Sequence, residues 1–102
     1  MSFIAVYVTH PSNEEAKKIC DILLNKKLIA CYNLFPVENA YWWNGNIENS
    51  SETVSILKTA KWNWGKLKNE IKVIHSYKIP CIMKIEVEAN EEYESWINET
   101  II

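Results

Sequence analysis

The chain has 102 residues, 48% of them hydrophobic, and a formal net charge of −2, which suits one domain with a single core. All 11 of its basic residues are lysines, so it lacks the bidentate guanidinium contacts that read phosphate and guanine. These properties argue against a protein that binds nucleic acid or anionic membranes. No apolar run approaches the ~20 residues that span a bilayer. We predict a single domain, residues 1–102, with neither nucleic acid nor membrane as a partner.

The number and spacing of the cysteines indicate the cellular compartment of the protein. Cys20, Cys31 and Cys81 are widely spaced and include no Cys-x-x-Cys pair. An odd number of scattered cysteines does not form a disulfide framework and is typical of a reducing environment. The first residues also lack the basic segment of a secretory signal. The sequence therefore predicts a cytoplasmic location.

The first elements in chain order are a strand, a helix and a second strand. Residues 3–9 form an almost unbroken apolar run, which is typical of a covered central strand. Ser12 and Glu15 form a capping box, and apolar residues at helical spacing follow it. A long strand over about residues 29–43 contains Pro36. Because proline cannot donate to a sheet ladder, Pro36 indicates a bulge, a bend or an edge strand.

The Asn44-Gly45 pair predicts a tight hairpin turn, because both central residues of a type I′ turn need φ > 0. A third strand follows over about residues 52–59. Trp42 and Trp43 lie beside the turn, where two adjacent tryptophans are costly to leave in water. We expect them either to cover the core or to contact another subunit.

The second half of the chain predicts a helix, a strand and a last helix. The apolar stripe of the first of these helices ends near His75. The strand over residues 81–87 alternates, with Met83, Ile85 and Val87 predicted to point inward. Asn90 can cap the last helix, which has acidic residues in its first turn.

This order of elements predicts an α+β fold. It is the ferredoxin-like β-α-β-β-α-β arrangement with an extra C-terminal helix, an antiparallel sheet and helices on one face. We expect the end of strand one, the start of strand two, the end of strand three and the start of strand four to meet at one rim. That rim would gather His10, Cys31, Lys58 and Cys81, with His75 on the adjoining loop.

Five short motifs follow one another along the chain. They are Leu28-Ile29-Ala30-Cys31-Tyr32-Asn33, Tyr41-x-Trp43-x-Gly45, Glu52 with Lys58-Thr59, His75-Ser76-Tyr77-Lys78-Ile79-Pro80, and Tyr93-x-x-Trp96. In order and spacing they resemble the CutA family of divalent-cation tolerance proteins, over essentially the whole chain. The resemblance implies a ferredoxin-like homotrimer in which long hairpins pack around a threefold axis. It also implies binding of copper or other divalent cations and a role in the response to metal ions.

The candidate metal ligands are His75, Cys81, His10 and Cys31. A thiolate and an imidazole suit copper or zinc, and the softness of sulfur favours copper. We predict copper or another divalent cation as the cofactor, and no organic cofactor. Two alternatives remain open: His75 could hold its loop by hydrogen bonds, and Cys31 could be a small buried side chain.

The candidate ligand-binding residues are Lys58, Tyr77 and Glu52, which occupy positions typical of the family. Lys58 could pair with a carboxylate across subunits, or it could help to hold a small anionic ligand between them. The oligomer interface that the resemblance implies would use the aromatic residues before the turn, Tyr41, Trp42 and Trp43.

Three functions remain open. The first is a trimeric protein of divalent-cation tolerance that binds the metal ion. The second is a small-ligand sensor with a pocket between subunits, and the third is a purely structural trimer. The chain has no Gly-rich phosphate loop, and no third group is evident to orient a pair formed by Cys81 and His75. We therefore predict that the protein is not an enzyme.

Overall fold

The computed structural model describes residues 2–101 as a four-stranded antiparallel sheet with three helices. The strands are β1 (Phe3–His10), β2 (Cys31–Trp43), β3 (Asn46–Ala60) and β4 (Ile82–Val87). The helices are α1 (Asn13–Asn25), α2 (Trp64–Ile74), which follows a 3-10 turn (Lys61–Asn63), and α3 (Glu91–Thr100). The strand order β2-β3-β1-β4 confirms the predicted ferredoxin-like fold with an extra C-terminal helix.

Helix α1 begins where the sequence predicts. The Ser12 hydroxyl accepts a hydrogen bond from the Glu15 amide at 3.1 Å, which satisfies one of the amides that a helix start leaves unpaired. The Glu15 carboxylate accepts a hydrogen bond from the Ser76 hydroxyl at 2.9 Å. This second contact ties the start of α1 to the loop after α2.

The β2–β3 hairpin has the predicted turn and is longer than predicted. Asn44 and Gly45 have φ values of 51° and 78°, as a type I′ turn requires. The strand pairing continues to the turn itself, so β3 begins at Asn46 and not at residue 52. Pro36 lies directly opposite Thr53, and β2 is the outermost strand, so Pro36 marks an edge and not a bulge. The long hairpin gives the molecule its extents of 45 × 23 × 21 Å.

The two faces of the sheet are covered differently. Side chains of β1 that include Ile4, Val6 and Val8 form the main core with α1 and α2. Alternate residues of a strand point to opposite faces, so Phe3 lies on the other side, where it packs against Ile97 of α3. Helix α3 therefore covers one end of the face opposite α1 and α2, so the prediction that the helices lie on one face is wrong for α3.

The predicted inward positions of β4 are wrong for Met83 and Ile85, which are each 48% exposed. It is Ile82 that packs against the main core. On the same side as Ile82, the Lys84 ammonium lies 5.6 Å from the centre of the Trp64 ring. β4 is an edge strand whose four central residues, Lys84 included, are exposed, so its polarity pattern does not identify the face that meets the core.

The prediction of a single rim is also wrong. In the β1–β3 pairing His10 lies opposite Thr53, and in the β2–β3 pairing Cys31 lies opposite Lys58. Antiparallel neighbours run in opposite directions, so the end of β1 meets the middle of β3 and not its end. Cys81 directly precedes Ile82, which lies opposite Val8, so Cys81 is at the His10 end of the sheet. Cys31 and Lys58 are at the other end.

None of the helices within residues 2–101 is long and apolar enough to cross a membrane.

Candidate functional site

A cleft of about 550 Å³ lies between the β2–β3 hairpin and the loop that joins α2 to β4. This volume falls within the ~300–1,000 Å³ of ordinary small-molecule sites. Its walls include Tyr41, Trp43, Glu48, Glu52, Tyr77 and Cys81. The four hairpin residues in this set share one face of the sheet, because side chains two residues apart on a strand point the same way and Tyr41 lies opposite Glu48.

A hydrogen bond between Tyr77 and Glu52 fixes the loop to the sheet. The Tyr77 hydroxyl donates to Glu52 Oε2 in a short contact. Burial, followed by the hydrogen bond and the charge of Glu52, raises the pKa of Tyr77 well above its usual value. The two residues were both predicted to bind ligand, and the structure brings them together. Lys58, the third residue of that predicted set, is not with them.

His75 fixes the same loop by hydrogen bonds. Its Nδ1 accepts from the Tyr77 amide at 3.0 Å, so Nε2 carries the proton and donates to the Thr9 carbonyl at 2.8 Å. A metal ion needs a free lone pair on an imidazole nitrogen, and this arrangement leaves none. The prediction of His75 as a metal ligand is therefore wrong for the described structure, and the structural alternative accounts for it.

His10 is a core residue. It is 1% exposed, its Nε2 lies 2.8 Å from the Ser55 hydroxyl, and its ring stacks on His75 with 5.2 Å between centroids. Its Nδ1 has no hydrogen-bond partner in the described part of the chain. Burial, with a smaller effect of His75, lowers the pKa of His10 to about 4. Because its ring does not reach solvent, His10 is not positioned to take up an ion.

Cys81 lies in the cleft wall and is half-buried. Burial, with a smaller effect of the Glu52 charge, raises the pKa of its thiol. Of the predicted metal ligands it is the one that lines this cleft. The resting group is a thiol, which a soft metal ion would deprotonate on binding.

Cys31 and Lys58 belong to a separate cluster beside α3. Cys31 Sγ lies 3.4 Å from the Tyr93 hydroxyl, and the Lys58 ammonium donates to Asn33 Oδ1 at 3.0 Å. The same ammonium lies 5.5 Å from the centre of the Tyr93 ring. Within one chain Cys31 and Cys81 therefore lie at opposite ends of the sheet, and so do Lys58 and Tyr77. The cause is the strand direction described above. A ligand site for Lys58 and Tyr77 between subunits stays a prediction.

Among residues 2–101, no group of three or more His, Cys, Asp or Glu side chains could hold a metal ion. The four predicted ligands divide into a buried histidine, a hydrogen-bonded histidine and two cysteines at opposite ends of the sheet. A structural metal site normally has four protein ligands and a catalytic one three. The residues of one chain therefore do not fit a complete metal site.

Sequence reasoning missed Glu48 and missed that Tyr41 and Trp43 form a cleft wall. The hairpin sequence does predict this wall, because alternate side chains of a strand point to opposite faces. Tyr41 and Trp43 therefore lie on one face and Trp42 on the other. A type I′ turn at Asn44-Gly45 then fixes the register and brings Glu48 opposite Tyr41.

Comparison with known proteins decides the family. The sequence profile of the family described as "CutA1 divalent ion tolerance protein" matches residues 4–100. The chain belongs to the CutA1 family. The divalent-cation tolerance protein CutA of Pyrococcus horikoshii is 44% identical to this CutA1 member over 97 residues, which cover 94% of this chain and 95% of that one. The family predicted from the five motifs is confirmed.

Solved structures of other CutA1 proteins share the fold. One, described as the periplasmic divalent cation tolerance protein CutA from Archaeoglobus fulgidus, is 42% identical with a TM-score of 0.92 and covers 98% of each chain. The PII-like protein CutA from Nostoc sp. PCC 7120 is 27% identical, with a TM-score of 0.90, and covers 98% of this chain and 97% of its own.

The Archaeoglobus comparison corrects the predicted location. A CutA1 protein that is 42% identical to this one is described as periplasmic, so the prediction of a cytoplasmic protein is overturned. All three cysteines of this chain are free. Free, scattered cysteines show that the fold does without a disulfide framework, and they do not fix a compartment.

Proposed function

We propose that this chain acts in tolerance of divalent cations, as a homotrimer that binds copper or another divalent ion. The observation that carries the proposal is the family match over residues 4–100, together with the divalent-cation tolerance relatives that are 42% to 44% identical to the chain. In this proposal the metal ion is the cargo of the protein. It binds weakly, at a site that solvent can reach.

The cleft is the place where such an ion would bind, because Cys81 lines it and is partly exposed. Cys81 offers a soft sulfur ligand, and the Glu52 carboxylate lies in the same cleft. Since a single chain does not supply three ligands, water or a neighbouring subunit would complete the coordination.

A copper titration of paired cysteine variants tests this proposal. We expect Cys81→Ser to weaken copper binding by at least about tenfold, since a hard hydroxyl replaces the soft sulfur ligand. Cys31→Ser is the matched control, because Cys31 is also half-buried and lies at the opposite end of the sheet. Calorimetry on the assembled protein gives both affinities. Equal affinities in the two variants would remove the cleft as the metal site.

The proposed trimer is supported by the apolar surface that one chain leaves open. Trp42 is 72% exposed and Ile47 58% exposed on the hairpin, and Tyr41 and Trp43 are nearly half exposed. Exposed aromatic groups of this size are costly in water and are typical of subunit interfaces.

A second candidate function is ligand sensing by the same trimer. The cleft volume supports it, and so does the description of the Nostoc relative as PII-like. It predicts that a small molecule raises the melting temperature of the protein in the absence of metal. A purely structural trimer would respond neither to copper nor to such a molecule.

We propose a binding role and not a catalytic one. The pairing of Cys81 with a general base is the one reaction site that the sequence suggests, and His75 is the candidate base. Both nitrogens of His75 are already engaged with the backbone, at Thr9 and Tyr77. These two hydrogen bonds support a structural role for His75, in which it holds the loop that forms one wall of the cleft.

A further inference from the structure

We propose that the cleft binds a small organic ammonium ion, held between aromatic rings and two carboxylates. The rings belong to Tyr41, Trp43 and Tyr77, and the carboxylates belong to Glu48 and Glu52. This inference rests on the second candidate function, in which the cleft is a ligand site, and it names the chemical class of that ligand.

The arrangement of the walls follows from the hairpin register. Tyr41 and Trp43 lie two residues apart on β2 and therefore face the same side. Glu48 lies directly opposite Tyr41 on β3, which places a carboxylate beside an aromatic ring. Tyr77 approaches from the loop before β4, where its hydroxyl is bonded to Glu52. Aromatic surface from two segments thus borders one cavity.

The charges of the cleft favour a cation. Glu48 is exposed and forms no ion pair with any residue in the 2–101 range, and Glu52 is 9% exposed. The basic group in the walls is the exposed Lys78, so the carboxylates outnumber it. The charge of Glu52 contributes, after burial, to raising the pKa of both Tyr77 and Cys81. A new negative charge is therefore disfavoured here, and Lys58, the basis for predicting an anion, is at the other end of the sheet.

The aromatic walls distinguish an organic cation from a bare metal ion. The face of an aromatic ring carries partial negative charge and attracts an ammonium group within about 6 Å, with the strongest effect where the cation is desolvated. An alkylammonium ion also fills volume, and the cavity of about 550 Å³ has room for it. A divalent metal needs several converging donor atoms, which the described residues do not provide.

Choline and its uncharged analogue 3,3-dimethylbutan-1-ol test the inference directly. The two molecules have nearly the same shape and differ in the positive charge, so their affinities report the cation contribution. We expect choline to bind to the assembled, metal-free protein at least about tenfold more tightly than the alcohol. Calorimetry measures both affinities. Equal binding of the two, or binding of neither, would overturn the proposal.

Two pairs of variants locate the bound choline. Glu48→Gln is matched with Glu38→Gln, an exposed carboxylate on the same hairpin whose side chain faces the other way. Trp43→Leu is matched with Trp62→Leu, which removes a 65% exposed tryptophan from the 3-10 turn. We expect the first member of each pair to weaken choline binding by at least about fivefold and the second to leave it unchanged. Equal effects within either pair would place choline outside the cleft.

This experiment separates the inference from the proposed function. If choline fails to bind and copper binding still depends on Cys81, metal tolerance stands and the organic cation is rejected. If choline binds and copper does not, the ligand-sensing function stands without the metal. Light scattering on each variant checks that the assembly is unchanged, since Trp43 also belongs to the proposed interface.

Discussion

His10 shows what burial does to a single titratable side chain. Its ring is enclosed by the core, it has one hydrogen bond to Ser55, and its stacking partner is another imidazole. A charged imidazolium in this position would lose hydration and would lie beside His75, and both effects disfavour protonation. His10 is therefore neutral at physiological pH.

We predict that this residue makes the protein less stable in acid. The pKa of His10 is about 4 in the folded chain and near its usual 6.5 in the unfolded chain. As the pH falls below about 6.5, His10 binds a proton in the unfolded chain but not in the folded chain. The free energy of unfolding therefore decreases. The loss reaches about 3 kcal/mol at pH 4.

Denaturant unfolding of the wild type and of His10→Gln, at one chain concentration, measures this loss. The variant cannot titrate at this position, so its stability should fall less between pH 7 and pH 4. Parallel pH profiles for the two proteins would contradict the assignment of the acid sensitivity to His10.

At the scale of an element, the hairpin depends on its turn. Asn44 and Gly45 both have positive φ, and the ladder begins immediately on either side of them. A Cβ atom at Gly45 would meet no atom within 4 Å, so the demand for glycine comes from the backbone conformation and not from crowding. The twist of a type I′ turn matches that of the two strands.

We predict that Gly45→Ala lowers the free energy of unfolding by about 1 kcal/mol, since an L-residue is strained at positive φ. Gly65→Ala is the control. Gly65 lies within α2, and a Cβ there would also meet nothing within 4 Å. Alanine is the better helix former, so this second change should raise stability by about 0.5 kcal/mol. Denaturant midpoints of both variants check the opposite signs, and equal shifts would contradict the backbone argument.

For the whole molecule, the distribution of uncovered apolar surface is the main feature. Helices α1 and α2 bury one face of the sheet, and α3 buries only one end of the other. The remainder of that second face exposes Phe35, Met83 and Ile85 at 41% to 48%, and the hairpin tip adds Trp42. A surface of this kind favours association of copies of the chain.

We predict that the protein is a trimer at micromolar concentration and that Trp42→Ser shifts it toward the monomer. Removing a large aromatic group from an interface weakens association by at least about tenfold. Light scattering coupled to size exclusion measures the mass. Trp62→Ser, which removes a tryptophan of similar exposure away from the hairpin, should leave the mass unchanged. A monomeric wild type would refute the interface.

The candidate site was partly predictable. Glu52, Tyr77 and Cys81 were chosen from the sequence, and all three line the cleft. The predicted rim is wrong for Lys58 and Cys31, because it requires the end of β1 to lie beside the end of β3. In the structure the end of β1 lies beside the middle of β3. Glu48 was missed, although its place opposite Tyr41 follows from the turn and the two-residue repeat of a strand.

The sequence by itself determined the local elements: the Ser12 cap, the Asn44-Gly45 turn, the order of strands and helices, and the motifs of the CutA1 family. These depend on residues that are close in the chain, so a local pattern is sufficient. Only the tertiary structure decided which residues meet. His75 bonds to the carbonyl of Thr9, 66 positions earlier, and that contact turns a predicted metal ligand into a structural residue. The direction and register of strand pairing create such contacts, and no local pattern contains them.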